Sequence, residues 1–369
     1  MRVAIIHDYL TQFGGAERVL QALMELYPHA PVYTLVHDPE RVPAMFDTRR
    51  LRTSFLQKLP GMRRSHRYVP LLLMPLAVEQ FDLSEYDVVI SATHSFGKGV
   101  ITGPNTLHVS YCFTPTRYAW DDSHRTINLY GNPIVRAFAP LALSYIRLWD
   151  YYASARVDTY ITLSDYVARR IKKYYGRGVH VIAPPVDVKR FAVQKEHQGY
   201  YLIVSRLVAY KRVDLAIEAC EKLGRRLKVV GVGPEMEQLK KKAGPNTEFL
   251  GFVSDEDLPE LYQGARALLF PQEEDFGITP LEAASCGKAT IAFGAGGVLE
   301  TVVNDITGVF FARQSVLDLV EAIKYFEKRV FDPISIRAHA EGFRREFFLE
   351  QIRNFVADAY QLHQKKVVI

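Results

Sequence analysis

Residues able to do chemistry are densest between Leu268 and Gly297, LLFPQEEDFGITPLEAASCGKATIAFGAGG. An apolar run, Leu268 to Phe270, predicts a buried strand that opens into an acidic, glycine-containing loop. A helix is expected to start near Thr279 or Pro280, with the proline in its first turn. The free N–H groups of such a helix start suit an anion or hydroxyls. Glu274 lies in the loop and Glu282 one turn into the helix, with seven residues between them. Because a carboxylate accepts hydrogen bonds from paired hydroxyls, one acid could reach a sugar and the other a ribose diol. Two acids at arbitrary spacing are as a rule a loop carboxylate and a helix-surface acid, so spacing by itself does not decide. Upstream, Arg206 and Lys211 stand five positions apart in VSRLVAYKR, across a strand-to-helix turn. Two cations so placed can neutralise a pyrophosphate leaving group and replace a divalent metal. His94, just past the predicted strand Val88 to Ile90, is as readily a structural imidazole as a site residue.

The elements that must position these groups read as α/β. Val3 to Ile6, Val88 to Ile90 and Thr159 to Leu163 predict strands, and Ala16 to Leu26 and Tyr166 to Tyr175 predict helices. The alternation restarts with a strand at Tyr201 to Val204, a helix at Arg212 to Lys222 and a strand at Leu227 to Val230. This pattern argues for parallel strands with crossover helices, and for two domains in 369 residues. The expected division is an N-terminal domain at 1–183, a proline-containing linker at 184–198, a second domain at 199–345 and a terminal helix at 346–369. That helix could cap the second domain or pack back on the first. Ligands of open parallel sheets bind at the carboxyl ends of the strands, so substrates are expected in a cleft there. With 48% hydrophobic and 24% charged residues the chain should fold throughout. Its three cysteines form no CxxC pair, which argues against a zinc site or a disulfide framework and fits a reducing compartment. The start, MRVAIIHD, has no signal-peptide pattern, and no window reaches the roughly 20 apolar residues of a membrane span. A cytoplasmic protein is expected, with membrane contact at most peripheral, at the inner face. A net charge of +5 is modest for nucleic-acid binding, and none is expected.

Glu274 and Glu282, with FGITP between them and AASCG after, resemble the E-x7-E signature of the retaining glycosyltransferase family 4, of the GT-B fold. VSRLVAYKR is similar to the family's first strand-to-helix loop in the C-terminal domain, which implies that Arg206 and Lys211 bind the donor diphosphate. Gly14-Gly15-Ala16-Glu17 is similar to the N-terminal GGxE loop, whose amides approach the donor phosphates and need small residues. Gly231-Val232-Gly233-Pro234-Glu235 fits the loop after the next strand, while taken alone it is a poor dinucleotide fingerprint, with Met236 where a third glycine belongs. Leu250-Gly251-Phe252-Val253-Ser254 resembles the segment bordering the nucleobase, and Val181 to Asp187 the entry to the linker. The resemblance therefore implies two Rossmann-like domains facing a central cleft and a retaining, metal-independent hexosyltransferase without cofactor. It implies Arg206, Lys211 and Glu274 in catalysis, and His94 joins them as a catalytic candidate on its position at a strand's carboxyl end. Gly14, Gly15, Gly233, Phe252, Val253, Phe276, Gly277, Ile278, Thr279 and Glu282 would hold the nucleotide sugar.

Tyr111 to Asp121, YCFTPTRYAWD, resembles a block in bacterial mannosyltransferases of polysaccharide and O-antigen assembly, many of which carry His where Phe113 stands here. Arg117 and Asp121, with His94, are the polar candidates near the acceptor. The resemblance leans towards GDP-mannose as donor and a glycan or polyprenyl-linked acceptor; a UDP-sugar donor, or a nucleotide-sugar 2-epimerase on the same fold, are the alternatives. A phosphorylase and an inactive two-domain interaction protein fit less well, the first for want of a cofactor-lysine segment, the second because the site charges are present. No acidic residue falls between Asp47 and Glu79, while Arg49, Arg50, Arg52, Lys58, Arg63, Arg64 and Arg67 interleave with apolar residues. Residues 49–76 are accordingly expected to meet an anionic membrane surface, a solvated basic loop being the plain alternative.

Overall fold

The computed structural model describes residues 1–46, 48–61, 71–128 and 133–367. Arg63, Arg64 and Arg67 of the basic segment lie outside the described residues. The chain divides into two compact units, one of residues 1–185 with 348–369, the other of residues 186–347.

The first unit is built on seven parallel strands: β1 (Val3–Leu10), β2 (Val32–His37), β3 (Leu51–Thr53), β4 (Val88–Thr93), β5 (Leu107–Cys112), β6 (Thr159–Thr162) and β7 (Val179–Val181). They lie in the order β3-β2-β1-β4-β5-β6-β7. Helices cover both faces, so β4 and β5 are buried along their whole length. This explains why strands such as Val88-Val89-Ile90 read as continuous apolar runs rather than alternating ones. Crossover helices have clear local signals. The helix Asp165–Tyr175 starts at Ser164, whose hydroxyl accepts from the Val167 N–H, and stops at Gly176 in the left-handed region.

The second unit has six parallel strands: β8 (Tyr200–Val204), β9 (Arg226–Val230), β10 (Thr247–Gly251), β11 (Ala265–Phe270), β12 (Thr290–Phe293) and β13 (Gly308–Phe311), ordered β10-β9-β8-β11-β12-β13. Of residues 184–198, which the prolines and polar filling suggest as a linker, those from Val186 onward belong to this unit and are packed on it. Phe191 is in its core beside Tyr200 and Tyr262, the Gln194 N–H donates to the Cys286 carbonyl, and the Gln198 N–H donates to the Gly264 carbonyl. The final helix, Arg345–Val367, begins in the second unit and from Phe348 onward belongs to the first. There Phe348 meets Tyr111 edge-on and Phe355 stacks on His180.

In both sheets the chain reverses its direction of travel once: between β1 and β4 in the first unit, and between β8 and β11 in the second. Loops leaving the carboxyl ends of those strands diverge to opposite faces and leave a crevice. The strands at these two points lead into the GGAE loop and His94 in the first unit, and into VSRLVAYKR and the acidic loop in the second.

Candidate active site

In the second unit, β8 ends at Val204 and the chain runs through Ser205-Arg206-Leu207 into a short turn, Ala209–Lys211, before the helix Val213–Leu223. Arg212 takes a left-handed backbone (φ 51°), which ends that turn and starts the helix. The neighbouring strand β11 delivers the acidic loop, and the helix Ile278–Ser285 follows. Lys211 and Glu274, from these two loops, form a close ion pair, both largely shielded from solvent. Arg206 is exposed, with no ion-pair partner among the described residues. The two cations thus differ. One is anchored to the acidic loop and one is available to an incoming anion.

Backbone contacts set the shape of both loops. The Ser205 and Leu207 N–H groups donate to the Val230 and Val232 carbonyls, which lay the loop after β8 against the loop after β9. Gly233 owes its identity to this approach, since a Cβ there would stand 2.1 Å from the Leu207 carbonyl oxygen. The acidic loop is backed in the same way. The Gly297 N–H donates to the Glu274 carbonyl (2.8 Å), and a Cβ on Gly297 would fall 2.3 Å from the Asp275 carbonyl oxygen. Gly297 closes the stretch that begins at Leu268, and its spacing alone did not mark it as the support of Glu274.

Glu282 is buried, and its Oε2 accepts from the Tyr262 hydroxyl at 2.7 Å. Phe276 is buried too and packs edge-on against Phe343, so only its backbone can meet a ligand. Gly277, Ile278 and Thr279 are partly exposed at the helix start. Phe252 is 80% exposed at the end of β10, while Val253 packs on the core. An exposed aromatic ring at a strand's carboxyl end is a ready stacking surface for a flat heterocycle.

In the first unit the loop after β1 is tied down by Glu17. Its Oε2 accepts from the Gly14 N–H (2.7 Å) and its Oε1 lies 3.6 Å from His7 Nε2. Glu17 therefore consumes the Gly14 amide. The amides of Gly15 and Ala16, which open the helix Gly15–Leu26, have no preceding carbonyl within the helix to bond. Buried His7 has its pKa raised: burial pushes it down, and the Glu17 carboxylate, with Asp8 and the Ala92 carbonyl, outweighs that.

Across the crevice from this loop stands His94, at the carboxyl end of β4, its side chain 40% exposed. Its Nδ1 lies 3.1 Å from Oδ2 of Asp8, a fully buried residue of β1 that carries no sequence motif. The Asp8 carboxylate also accepts the backbone N–H groups of His94 (2.7 Å), Ser95 (3.1 Å), Phe96 (2.8 Å) and Gly97 (2.6 Å), and the Thr93 hydroxyl (3.0 Å to each oxygen). Burial pushes the Asp8 pKa up, and the charges of His94 and His7 with these donors more than reverse the effect, leaving it lowered.

The segment after β5 is fastened by a second buried charge. Lys98 and Asp150, neither with any exposed surface, lie 2.6 Å apart. Lys98 Nζ also donates to the Ser95 carbonyl, and Asp150 accepts from Thr116, Trp120 and Tyr175 at 2.7, 2.8 and 2.7 Å. Phe113 is buried against Tyr111, and its N–H donates to the Thr93 carbonyl. Its ring is part of the packing. Asp121 is engaged by Arg170 and the Tyr174 hydroxyl, both from the helix Asp165–Tyr175, so its carboxylate braces the segment. Arg117 is half-buried nearby.

Two Rossmann-like sheets, each with its loop motifs at a strand-order reversal, define a nucleotide-binding class of α/β protein. Residues 13–190 match the family model described as Glycosyltransferase Family 4, and residues 186–332 match that of Glycosyl transferases group 1. The chain belongs to this glycosyltransferase family, with its GT-B fold. The glycogen synthase of Mycobacterium tuberculosis (strain ATCC 25618 / H37Rv) is 30% identical over 206 residues, 51% of this chain and 49% of that protein. A GDP-mannose-dependent alpha-(1-6)-phosphatidylinositol monomannoside mannosyltransferase of the same strain is 27% identical over 226 residues, 53% of this chain and 58% of that protein. The chain spans about half the length of the curated relatives it matches. Among solved structures, the sucrose-phosphate synthase of Thermosynechococcus elongatus superposes with a TM-score of 0.73 at 18% identity, covering 98% of this chain and 100% of that one. Anabaena HepE in complex with UDP does so with a TM-score of 0.71 at 17% identity, covering 97% and 100%. At such identities the likeness is one of fold.

Proposed function

We propose that the protein is a retaining, metal-independent hexosyltransferase that moves mannose from GDP-mannose to a glycan or lipid-linked oligosaccharide in cell-surface polysaccharide synthesis. The observation that carries the reading is the pairing of Lys211 with Glu274 across the strand-order reversal between β8 and β11. In this reading Arg206 and Lys211 take the charge of the departing diphosphate, which makes a metal unnecessary. Glu274 orients the donor sugar's hydroxyls, and Lys211 exchanges part of its pairing with Glu274 for the phosphate. Glu282, steadied by Tyr262, accepts from the ribose, and Phe252 flanks the base. The acceptor hydroxyl attacks from the face of the leaving group, and its proton passes to the leaving phosphate, so no carboxylate serves as nucleophile.

The mannosyltransferase relative and the Tyr111 to Asp121 block support GDP-mannose; the UDP held by Anabaena HepE supports a UDP-sugar as the second reading. A thermal-shift screen of GDP, UDP and ADP, followed by incubation with the matching nucleotide sugars, separates the two. Release of GDP and an unchanged anomeric configuration in the product are expected. Formation of a 2-epimer, or no stabilisation by any of the three nucleotides, would sink the proposal.

We further propose that the protein works at the inner face of a membrane, through the basic segment 49–76. No described helix is long and apolar enough to cross a membrane. The helix Pro133–Ser154 turns Phe138, Leu141, Tyr145, Leu148 and Tyr152 outward, each between 49% and 68% exposed, and this stripe at heptad spacing supports the reading. Sedimentation with anionic but not neutral liposomes is expected, and equal partitioning to both would refute it.

A further inference from the structure

Asp8 and His94 make a dyad whose two halves come from opposite sides of the strand-order reversal between β1 and β4. The Asp8 carboxylate is an acceptor surrounded by donors: four backbone N–H groups and one hydroxyl. Such a group is held ionised and can accept from His94 but cannot donate to it. Of the two tautomers of a neutral His94, only the one with its proton on Nδ1 gives Asp8 a hydrogen bond; the other sets a lone pair against a buried negative charge. The ring is pinned at its Nδ1 side to a group with no exposed surface while the side chain as a whole is 40% exposed, which leaves Nε2 as the ring nitrogen not engaged by Asp8. Tyr9 flanks the imidazole at 6.0 Å between ring centres, and His7, the other imidazole beside Asp8, is occupied by the Ala92 carbonyl and Glu17.

We infer that Asp8 is a positioning residue that fixes the tautomer of His94, keeping the proton on Nδ1 so that Nε2 presents a lone pair to a substrate hydroxyl. A hydroxyl fits because Nε2 of this tautomer accepts and cannot donate to a phosphate oxygen. That the hydroxyl belongs to a sugar rests on the transfer reading above, whereas the tautomer does not.

Long-range proton–nitrogen correlation on the 15N-labelled full chain, at a pH where the ring is neutral, reads the tautomer directly. His94 is identified as the signal missing from His94→Ala. A protonated Nδ1 and an unprotonated Nε2 are expected in the wild type, and a protonated Nε2 overturns the proposal. In Asp8→Asn the fixed tautomer should give way to a mixture or to its reverse; persistence of the wild-type pattern in that variant also overturns it. Should Asp8→Asn fail to fold, the wild-type spectrum still decides. With a donor in hand, His94→Ala and His94→Asn, whose amide reaches Asp8 alone, should turn over about ten- to a hundredfold more slowly, and turnover within twofold of wild type removes the hydroxyl contact. If the wild type transfers no sugar at all, the transfer reading fails while the tautomer result stands.

Discussion

Replacing Lys98 with Met tests whether the loops bearing His94 and residues 113–121 are held by one buried charge pair. Lys98 and Asp150 are fully buried 2.6 Å apart, and three neutral donors, from Thr116, Trp120 and Tyr175, complete the shell of Asp150. Met fills the volume of the lysine stem but leaves Asp150 without its cation. Removing one partner of a buried pair costs about 3–5 kcal/mol. With the three donors still in place, the lower end, about 3 kcal/mol, is expected. At roughly 2–4 °C per kcal/mol for a unit of this size, the unfolding midpoint should fall by about 6–12 °C. Asp150→Asn should lose a similar amount, because it strands the Lys98 ammonium against the Ser95 carbonyl. The double variant, which removes both charges, should cost about 2 kcal/mol less than the sum of the two. Urea and thermal unfolding followed by tryptophan fluorescence suits the question. Of the two tryptophans, Trp120 donates to Asp150 and Trp149 packs on Phe96 two residues before Lys98. Losses that simply add in the double variant, or a Lys98→Met loss below about 1 kcal/mol, would refute the argument.

Glu274→Ala should lower turnover by about a hundredfold or more with little change in stability, as read by nucleoside diphosphate release beside circular dichroism. Gly297→Ala should lose activity to a like degree though it touches no ligand, because its Cβ would meet the Asp275 carbonyl oxygen at 2.3 Å and push the loop bearing Glu274; crystal structures with and without the change would display the displacement. The raised pKa of His7 makes a stabilisation that is complete below about pH 6.5 and is lost as pH rises through the folded value. Urea unfolding between pH 6 and pH 9 should show a decline in the wild type that is shallower in His7→Gln. Asp8 acts in the opposite sense: its lowered pKa contributes stability above roughly pH 3.9 that disappears as pH falls through the folded value, so Asp8→Asn should flatten the acid limb of the same profile.

Much of the second unit was legible because its signals are local. The apolar run into QEEDFGITP, the proline in the first helical turn and the paired cations of VSRLVAYKR each state their own backbone, and the elements form within three residues of where the pattern puts them. The first unit was less legible. The polar residues of YCFTPTRYAWD look like a binding segment, yet Asp121 is engaged by Arg170 and Tyr174, and Phe113 is packed on Tyr111. Nothing near Asp121 in the sequence announces its partners, because Arg170 and Tyr174 lie on another element, the helix Asp165–Tyr175. Asp8 passes as the polar end of a strand, and only its contacts reveal a hub.

By itself the sequence determined the α/β alternation, the existence of two sheets and the identity of the charged groups at strand ends, since each follows from short-range periodicity and from residue chemistry. Tertiary structure alone decided which strand ends lie side by side. β1 neighbours β4 across roughly eighty residues and β8 neighbours β11 across roughly sixty, by hydrogen bonding between parallel strands that leaves no local trace. Those two adjacencies bring Asp8 to His94 and Lys211 to Glu274. A buried charge gains its place from a partner, and the partner is supplied by the fold.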